Sequence, residues 1–377
     1  MNLNQGFSQK TNGLEAVAEA TKDWNGSPDF VLAFCSTEQS PNDVAAALEQ
    51  RFPESQVIGC TSTGEHLDGH VLRGSLVATG LQSTDIVWAT ALLPNLSSLS
   101  KEQVEDTVGK LFQSLGVDPD LMNPEELFCL SFVDGLSGKE ETLSMILADA
   151  LDGVPVIGGS AGDDMKFVDT RVIFGGKAYQ DAAVLALAHT KLPYHLFKHQ
   201  HFSKTPKSLA VTKADPDNRR VYELDGYTAL QAYSACLGIP AEQINSEVYS
   251  CNPVVFSCNG EIYVRSIQQV HSDGSISFYC SVDEGMVLEI GQHEGIVDAF
   301  ELQKTRFLEQ FGRAEWMICC NCILRAVEAQ QQGVHKVLED KMAECSQKYI
   351  GFDTYGEQLN GLHINQTVVG LAIGSAT

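Results

Sequence analysis

The chain has 377 residues, 44% hydrophobic and 20% charged, which excludes a disordered or fibrous protein and is more than one hydrophobic core normally accommodates. With 25 Lys and Arg against 49 Asp and Glu the formal charge is -24, which argues against nucleic acid and anionic lipid as partners. Met1-Asn2-Leu3-Asn4-Gln5 lacks a basic stretch followed by an apolar one, and no run of about 18 apolar residues occurs, so a cytoplasmic location is expected.

The first predicted strand is Phe30 to Phe34, followed by a helix announced by Ser40 as N-cap, Pro41 and Asp43, with Val44, Ala47 and Leu48 on its inner stripe. Val57-Ile58-Gly59-Cys60 is a second strand that breaks at Thr61 to Glu65, and Ser75 to Thr79 a third. The pattern returns from Leu127 to Phe132, where Ser137 and Glu140 form a capping box for a helix carrying Leu143, Ile146, Leu147 and Ala150. Val156-Ile157-Gly158-Gly159 then repeats Val57 to Cys60 at an offset of 156 minus 57, or 99, and Ala182 to Ala186 is the return strand.

Between residues 254 and 279 the texture changes to short strands separated by Asn259-Gly260 and Asp273-Gly274, both hairpin signals. A helix with Ile296, Val297, Phe300, Phe307, Leu308 and Phe311 on one side stops at Gly312. A third copy closes the chain: Trp316 to Cys319 is its first strand, Val334, Val337, Leu338, Met342 and Cys345 mark its helix, and Tyr349-Ile350-Gly351-Phe352 answers Val57 to Cys60 at an offset of 349 minus 57, or 292. The final strand, Thr367 to Ala372, keeps that offset from Ser75. These repeats predict an α/β protein of two domains with mixed sheets, built from strand-helix-strand-strand units, with an antiparallel hairpin region in the second half. Gly59, Gly158 and Gly351 should be equivalent.

The 11 cysteines, odd in number and mostly in apolar runs, are expected as free thiols, and Cys319 and Cys322 as residues of a buried strand rather than half of a zinc or redox site.

The run Gly158-Gly159-Ser160-Ala161-Gly162-Asp163-Asp164, followed by Phe167 and by Ala182 to Ala186, resembles the amino-terminal FIST domain. Asn218 to Gly226 and Gly351-Phe352-Asp353-Thr354-Tyr355-Gly356-Glu357 resemble its carboxy-terminal companion. The resemblance implies a FIST N domain over 1–217, a FIST C domain over 218–377, and a small-ligand sensor in signal transduction rather than an enzyme. Gln200-His201-Phe202, Cys322-Ile323-Leu324-Arg325 and Gly361 to Thr367 are similar to bacterial FIST proteins that bind haem b, sense nitric oxide and regulate a partner sensor histidine kinase. Asn321 and Ala326 depart from that pattern, which has an acidic residue and a second arginine there.

Haem iron needs an imidazole, an apolar slot and a basic or polar group for the propionates. If their segment is a strand, His195, His199 and His201 share one face with Phe197. The resemblance makes His201 the expected axial ligand to the metal and His363 the second choice, with His199 and Arg325 as further cofactor-binding candidates. A possible homo-oligomer is also expected. Two other readings stay open: a FIST module that senses a small metabolite such as an amino acid without haem, and a hydrolase using the acidic strand ends Glu65, Asp163-Asp164 and Glu357.

Overall fold

The computed structural model describes residues 1–258 and 260–375; Asn259 of the first hairpin signal lies outside them. Two compact units result, one from residues 1–198, 303–363 and 368 onward, the other from residues 199–302 and 364–367.

The first unit is a triplication. Each repeat is an edge strand, a helix, a core strand, one or two helices, a second core strand, a hairpin and a return strand. The first repeat runs through strand Asn2–Ser8, helix Gly13–Ala20, strand Phe30–Ser36, helix Pro41–Arg51, strand Gln56–Ser62, hairpin Glu65–Leu67 with His70–Leu72, and strand Leu76–Gln82. The second runs through Ile86–Pro94, helix Lys101–Leu115, Leu127–Val133, helix Glu140–Ala150, Val156–Ser160, hairpin Val172–Phe174 with Lys177–Tyr179, and Ala182–Thr190. The third begins with strand Tyr194–His199 and resumes at helix Ile296–Gln310. It continues through Ala314–Cys322, helices Ile323–Gln331 and His335–Glu344, Ser346–Thr354, hairpin Glu357–Leu359 with Leu362–Ile364, and Val368–Ile373.

Within every repeat the two core strands pair in parallel, as a strand-helix-strand crossover requires, and the return strand adds antiparallel to the first core strand. The expected mixed-sheet α/β class is what forms. Gly59, Gly158 and Gly351 face Ala33, Ser131 and Cys319 in identical register. A Cβ on them would stand 1.8, 1.7 and 2.6 Å from the partner's carbonyl oxygen, so only glycine lets the paired backbones approach this closely.

The loops of the repeat are not local. Leu67, His66 and Glu65 of the first repeat pair with Ile350, Gly351 and Phe352 of the third. Glu357 and Gln358 of the third pair with Gly159 and Gly158 of the second, and Val172 and Ile173 of the second pair with Cys60 and Gly59 of the first. Each repeat thus completes another's six-stranded sheet in a closed cycle. Phe34, Phe132 and Phe352, one from each repeat, meet with ring centroids 4.3 to 5.9 Å apart and form the shared core.

Outside that core the odd residues of the core strands pack on helices. Val31, Ala33 and Cys35 meet Val44 and Leu48, and Cys129 and Val133 meet Leu143 and Leu147. Ser40 caps its helix as expected, accepting the Asp43 amide at 3.3 Å. The expected capping box at Ser137 and Glu140 does not form: the helix starts at Glu140, and Ser137 sits in the preceding turn, accepting the Lys139 amide. All eleven cysteines carry free thiols, and Cys319 and Cys322 are buried in their strand.

The second unit is an antiparallel eight-stranded sheet around Leu209, Val221, Tyr233, Val254, Phe278 and Leu288, with helix Ala229–Leu237 packed on it. Its hairpin at Asp273-Gly274 turns with Gly274 at φ +79°, which glycine adopts without strain. Among the described residues no helix is long and apolar enough to cross a membrane.

Candidate functional site

The strand from Tyr194 ends at His199, so His195, Phe197 and His199 share a face, while His201, in the second unit, falls in the break before strand Phe202–Asp215. The backbone of the break is fixed from both sides: the Gln200 side-chain oxygen accepts the Phe202 amide at 2.7 Å, and the His201 carbonyl accepts the Glu294 amide at 2.8 Å. His201 is only 2% exposed. Its ring lies 4.4 Å from Phe202 and 4.9 Å from His293, which stands opposite Phe202 in the antiparallel pair. His293 accepts the Gly295 amide on Nδ1 at 3.0 Å, so in its neutral form the proton is on Nε2 and that nitrogen is a donor. His199 is buried edge-on to Phe300 at 5.1 Å. Nothing in sequence spacing tied His293 to His201; the strand pairing does.

In the first unit the other two candidates border the Gly356-Glu357 segment. His363 is buried in its hairpin against Gly356: a Cβ there would sit 2.2 Å from the ring Cε1, so the glycine makes room for the imidazole. Arg325 is buried in the first turn of its helix, and burial pulls its guanidinium down to about 10 while the carboxylates of Glu328, Glu357 and Asp353 pull the other way. Its Nη1 donates to Asn321 Oδ1 at 2.8 Å, and Asn321 Nδ2 donates to Asp353 Oδ1 at 2.7 Å.

Asp353 is the centre of this network, fully buried in the strand Ser346–Thr354. His66 Nε2 lies 2.8 Å from Oδ1 and Arg73 Nη2 lies 3.1 Å from Oδ2, both brought in by the hairpin of the first repeat. Burial by itself raises the Asp353 carboxyl, but His66, Arg73 and Asn321 outweigh it and hold the group below the usual range. A carboxylate at position 321 would face that of Asp353, whereas the Asn321 amide donates to it. His66, Arg73 and Asp353 were not singled out from sequence. They are 7 and 287 residues apart, and only the exchanged hairpin joins them.

The three acidic strand ends do not form an equivalent set. Register puts Glu65 opposite Phe352, Glu357 opposite Gly159 and Val172 opposite Cys60, so the third place is apolar and Asp163-Asp164 belongs to a loop. Glu65 is enclosed by its own donors, the Ser62 hydroxyl at 2.5 Å and the Ser75 hydroxyl and amide at 2.6 and 3.1 Å, while burial still pushes it up to about 7.

A triplicated α/β scaffold whose third copy carries an inserted antiparallel unit defines the class. The family model of the FIST N domain matches residues 29–227 and that of the FIST C domain residues 229–360, and the chain belongs to this family of small-ligand sensor modules in signal transduction. It is 24% identical over 283 residues to an uncharacterized protein of Methanocaldococcus jannaschii, covering 70% of this chain and 54% of the relative. The chain thus spans about half the length of the curated relative it matches.

Proposed function

We propose that the chain is a haem-based sensor of nitric oxide in which His201 holds the iron, and that it reports to a sensor histidine kinase. The observation that carries this is a histidine withdrawn from water and flanked by rings, which suits a neutral axial imidazole. His201 is the ligand the site favours, because the Nδ1 of the neighbouring His293 is already taken by the Gly295 amide at 3.0 Å. Bound haem would supply an open iron coordination position for a diatomic ligand. The protein's part is to fix the His201 backbone, exclude water and keep the ring among Phe202 and His293.

The test is the absorption spectrum of haem-reconstituted protein. A Soret band that is lost or strongly shifted in His201→Ala and kept in His195→Ala is expected; no band in the native protein, or an unchanged band in His201→Ala, overturns the assignment.

A second reading, sensing of an amino acid without haem, is favoured by an open cavity of about 750 Å³ in the first unit whose lining includes Asp29, Glu54, Gln56 and Trp88. Its carboxylates suit an ammonium group and the exposed Val87 of its lining an apolar side chain. Under that reading an amino acid raises the melting temperature of haem-free protein and Asp29→Asn abolishes the rise.

A further inference from the structure

Strand Asn2–Ser8 ends its sheet: it pairs with Leu76–Gln82 on one side, and among the described residues no strand adds to the other. One row of its N–H and C=O groups therefore has no strand to bond. Natural edges are commonly blunted by a lysine, a proline or a bulge. This one has none, since its register with Leu76–Gln82 runs unbroken and residues 2–8 contain no charged side chain and no proline. In a chain of formal charge -24, that neutral edge is free of the repulsion that opposes self-association elsewhere.

The two faces of the strand differ. Gly6 lies under helix Gly13–Ala20, where a Cβ would stand 1.9 Å from the Ala20 carbonyl oxygen, so the even-numbered residues face that helix. Leu3, Gln5 and Phe7 face the other way, opposite the buried Leu81, Thr79 and Val77, and Val77 in turn stands opposite Phe34 of the shared core. The row Phe34, Val77, Phe7 carries the core face out to the rim, where it stops with Phe7 47% exposed. Gln5 donates Nε2 to Thr79 Oγ1 at 3.1 Å, and its buried Oε1 has no donor. Backbone edge and apolar face are both incomplete, and one further strand completes both.

The sequence of the strand selects its own copy. Laid antiparallel to itself with Gln5 on a two-fold axis, it places Leu3 opposite Phe7 of the copy, Gln5 opposite Gln5, Asn4 opposite Gly6 and Asn2 opposite Ser8. Each apolar residue of the uncovered face meets an apolar residue, Gln5 meets an amide able to donate to its Oε1, and no like charges face each other. In the open groove beside the strand the charged residues are Lys10 and Lys22 against Glu19 and Asp23, so the flank is balanced as well.

We propose that two copies of this chain pair antiparallel through Asn2–Ser8 about Gln5, joining their six-stranded sheets into one continuous sheet. This pairing is independent of haem. The test is sedimentation of the full chain, carrying no amino-terminal tag, over a range of concentrations. A dimer is expected for the native chain, with the dimer Kd raised roughly tenfold or more in Phe7→Lys and in Leu3→Glu while circular dichroism shows the fold intact. Mixing those two variants should restore dimers, because the register sets the two introduced charges opposite each other. Mixing Phe7→Lys with Phe7→Glu should not, since the two positions 7 lie four residues out of register. A native chain that stays monomeric, a dimer indifferent to Phe7→Lys, a first mixture that stays monomeric, or equal rescue by both mixtures overturns the proposal. A dimer that forms this way in protein without a Soret band would refute haem while leaving the strand pairing in place.

Discussion

The carbonyl oxygen of Ser131 stands 1.7 Å from the place a Cβ on Gly158 would occupy, a clash with backbone that no rotamer change relieves. Gly158→Ala therefore forces apart the parallel pair that builds the second sheet and should destabilise by at least about 3 kcal/mol. Gly109, exposed in helix Lys101–Leu115 with nothing near its Cβ position, is the contrast: Gly109→Ala should stabilise by about 0.5–1 kcal/mol. Urea denaturation of the two variants checks both signs.

Glu65 should make stability fall as pH rises. Its carboxyl is raised from an ordinary 4.5 to about 7, so between those values the folded chain keeps a proton that the unfolded chain has released. The favourable term is complete below about 4.5 and is lost as pH passes through 7, a change on the order of 3 kcal/mol for this buried group. Glu65→Gln should flatten the dependence of unfolding free energy on pH across that window; an unaltered slope would show that the residue titrates normally.

Asn321 offers a second electrostatic test. Its amide donates to Asp353 at 2.7 Å while its oxygen accepts from Arg325 at 2.8 Å. Asn321→Asp keeps the acceptor but sets two carboxylates together in a buried site, and should cost roughly 2–3 kcal/mol at pH 7. The loss should shrink as pH falls and one carboxyl takes up a proton, which thermal melts at pH 5 and pH 7 would show.

The exchanged hairpins predict coupling between distant parts of the sequence. Replacing residues 66–71 by a short Gly/Ser linker removes the strand beside Ile350 and Gly351, together with the His66 contact to Asp353. Hydrogen exchange should then quicken in the third repeat's strand Ser346–Thr354 more than in the first repeat's own strand Phe30–Ser36.

Much of the scaffold was legible because its signals are local. The 99 and 292 offsets located equivalent glycines, Ser40-Pro41 marked a helix start, and Asp273-Gly274 marked a hairpin. The edge strands Asn2–Ser8 and Ile86–Pro94 escaped because their pairing comes from elsewhere in the chain, and the hairpin strands because three residues are too few to show a period. The same non-locality hid the network at Asp353, whose partners His66 and Arg73 arrive on a hairpin from the other end of the sequence. Asp163, quoted as part of a glycine-rich motif, proved to be the hub of a loop because its acceptor capacity is filled by amides four to six residues onward.

The closed exchange of hairpins also sets an order of events during synthesis. The hairpin Glu65 to Leu72 leaves the ribosome long before the strand Ser346–Thr354 that receives it, and Gln56–Ser62 must wait for the second repeat before its open edge is covered. A fragment holding only the first two repeats leaves the edges that the third repeat covers unpaired, so the nascent chain carries unpaired backbone until Ser346–Thr354 and Glu357–Leu359 emerge. Productive folding of this scaffold therefore waits for the third repeat, and translation products cut short before it should be aggregation-prone substrates for chaperones rather than smaller working scaffolds.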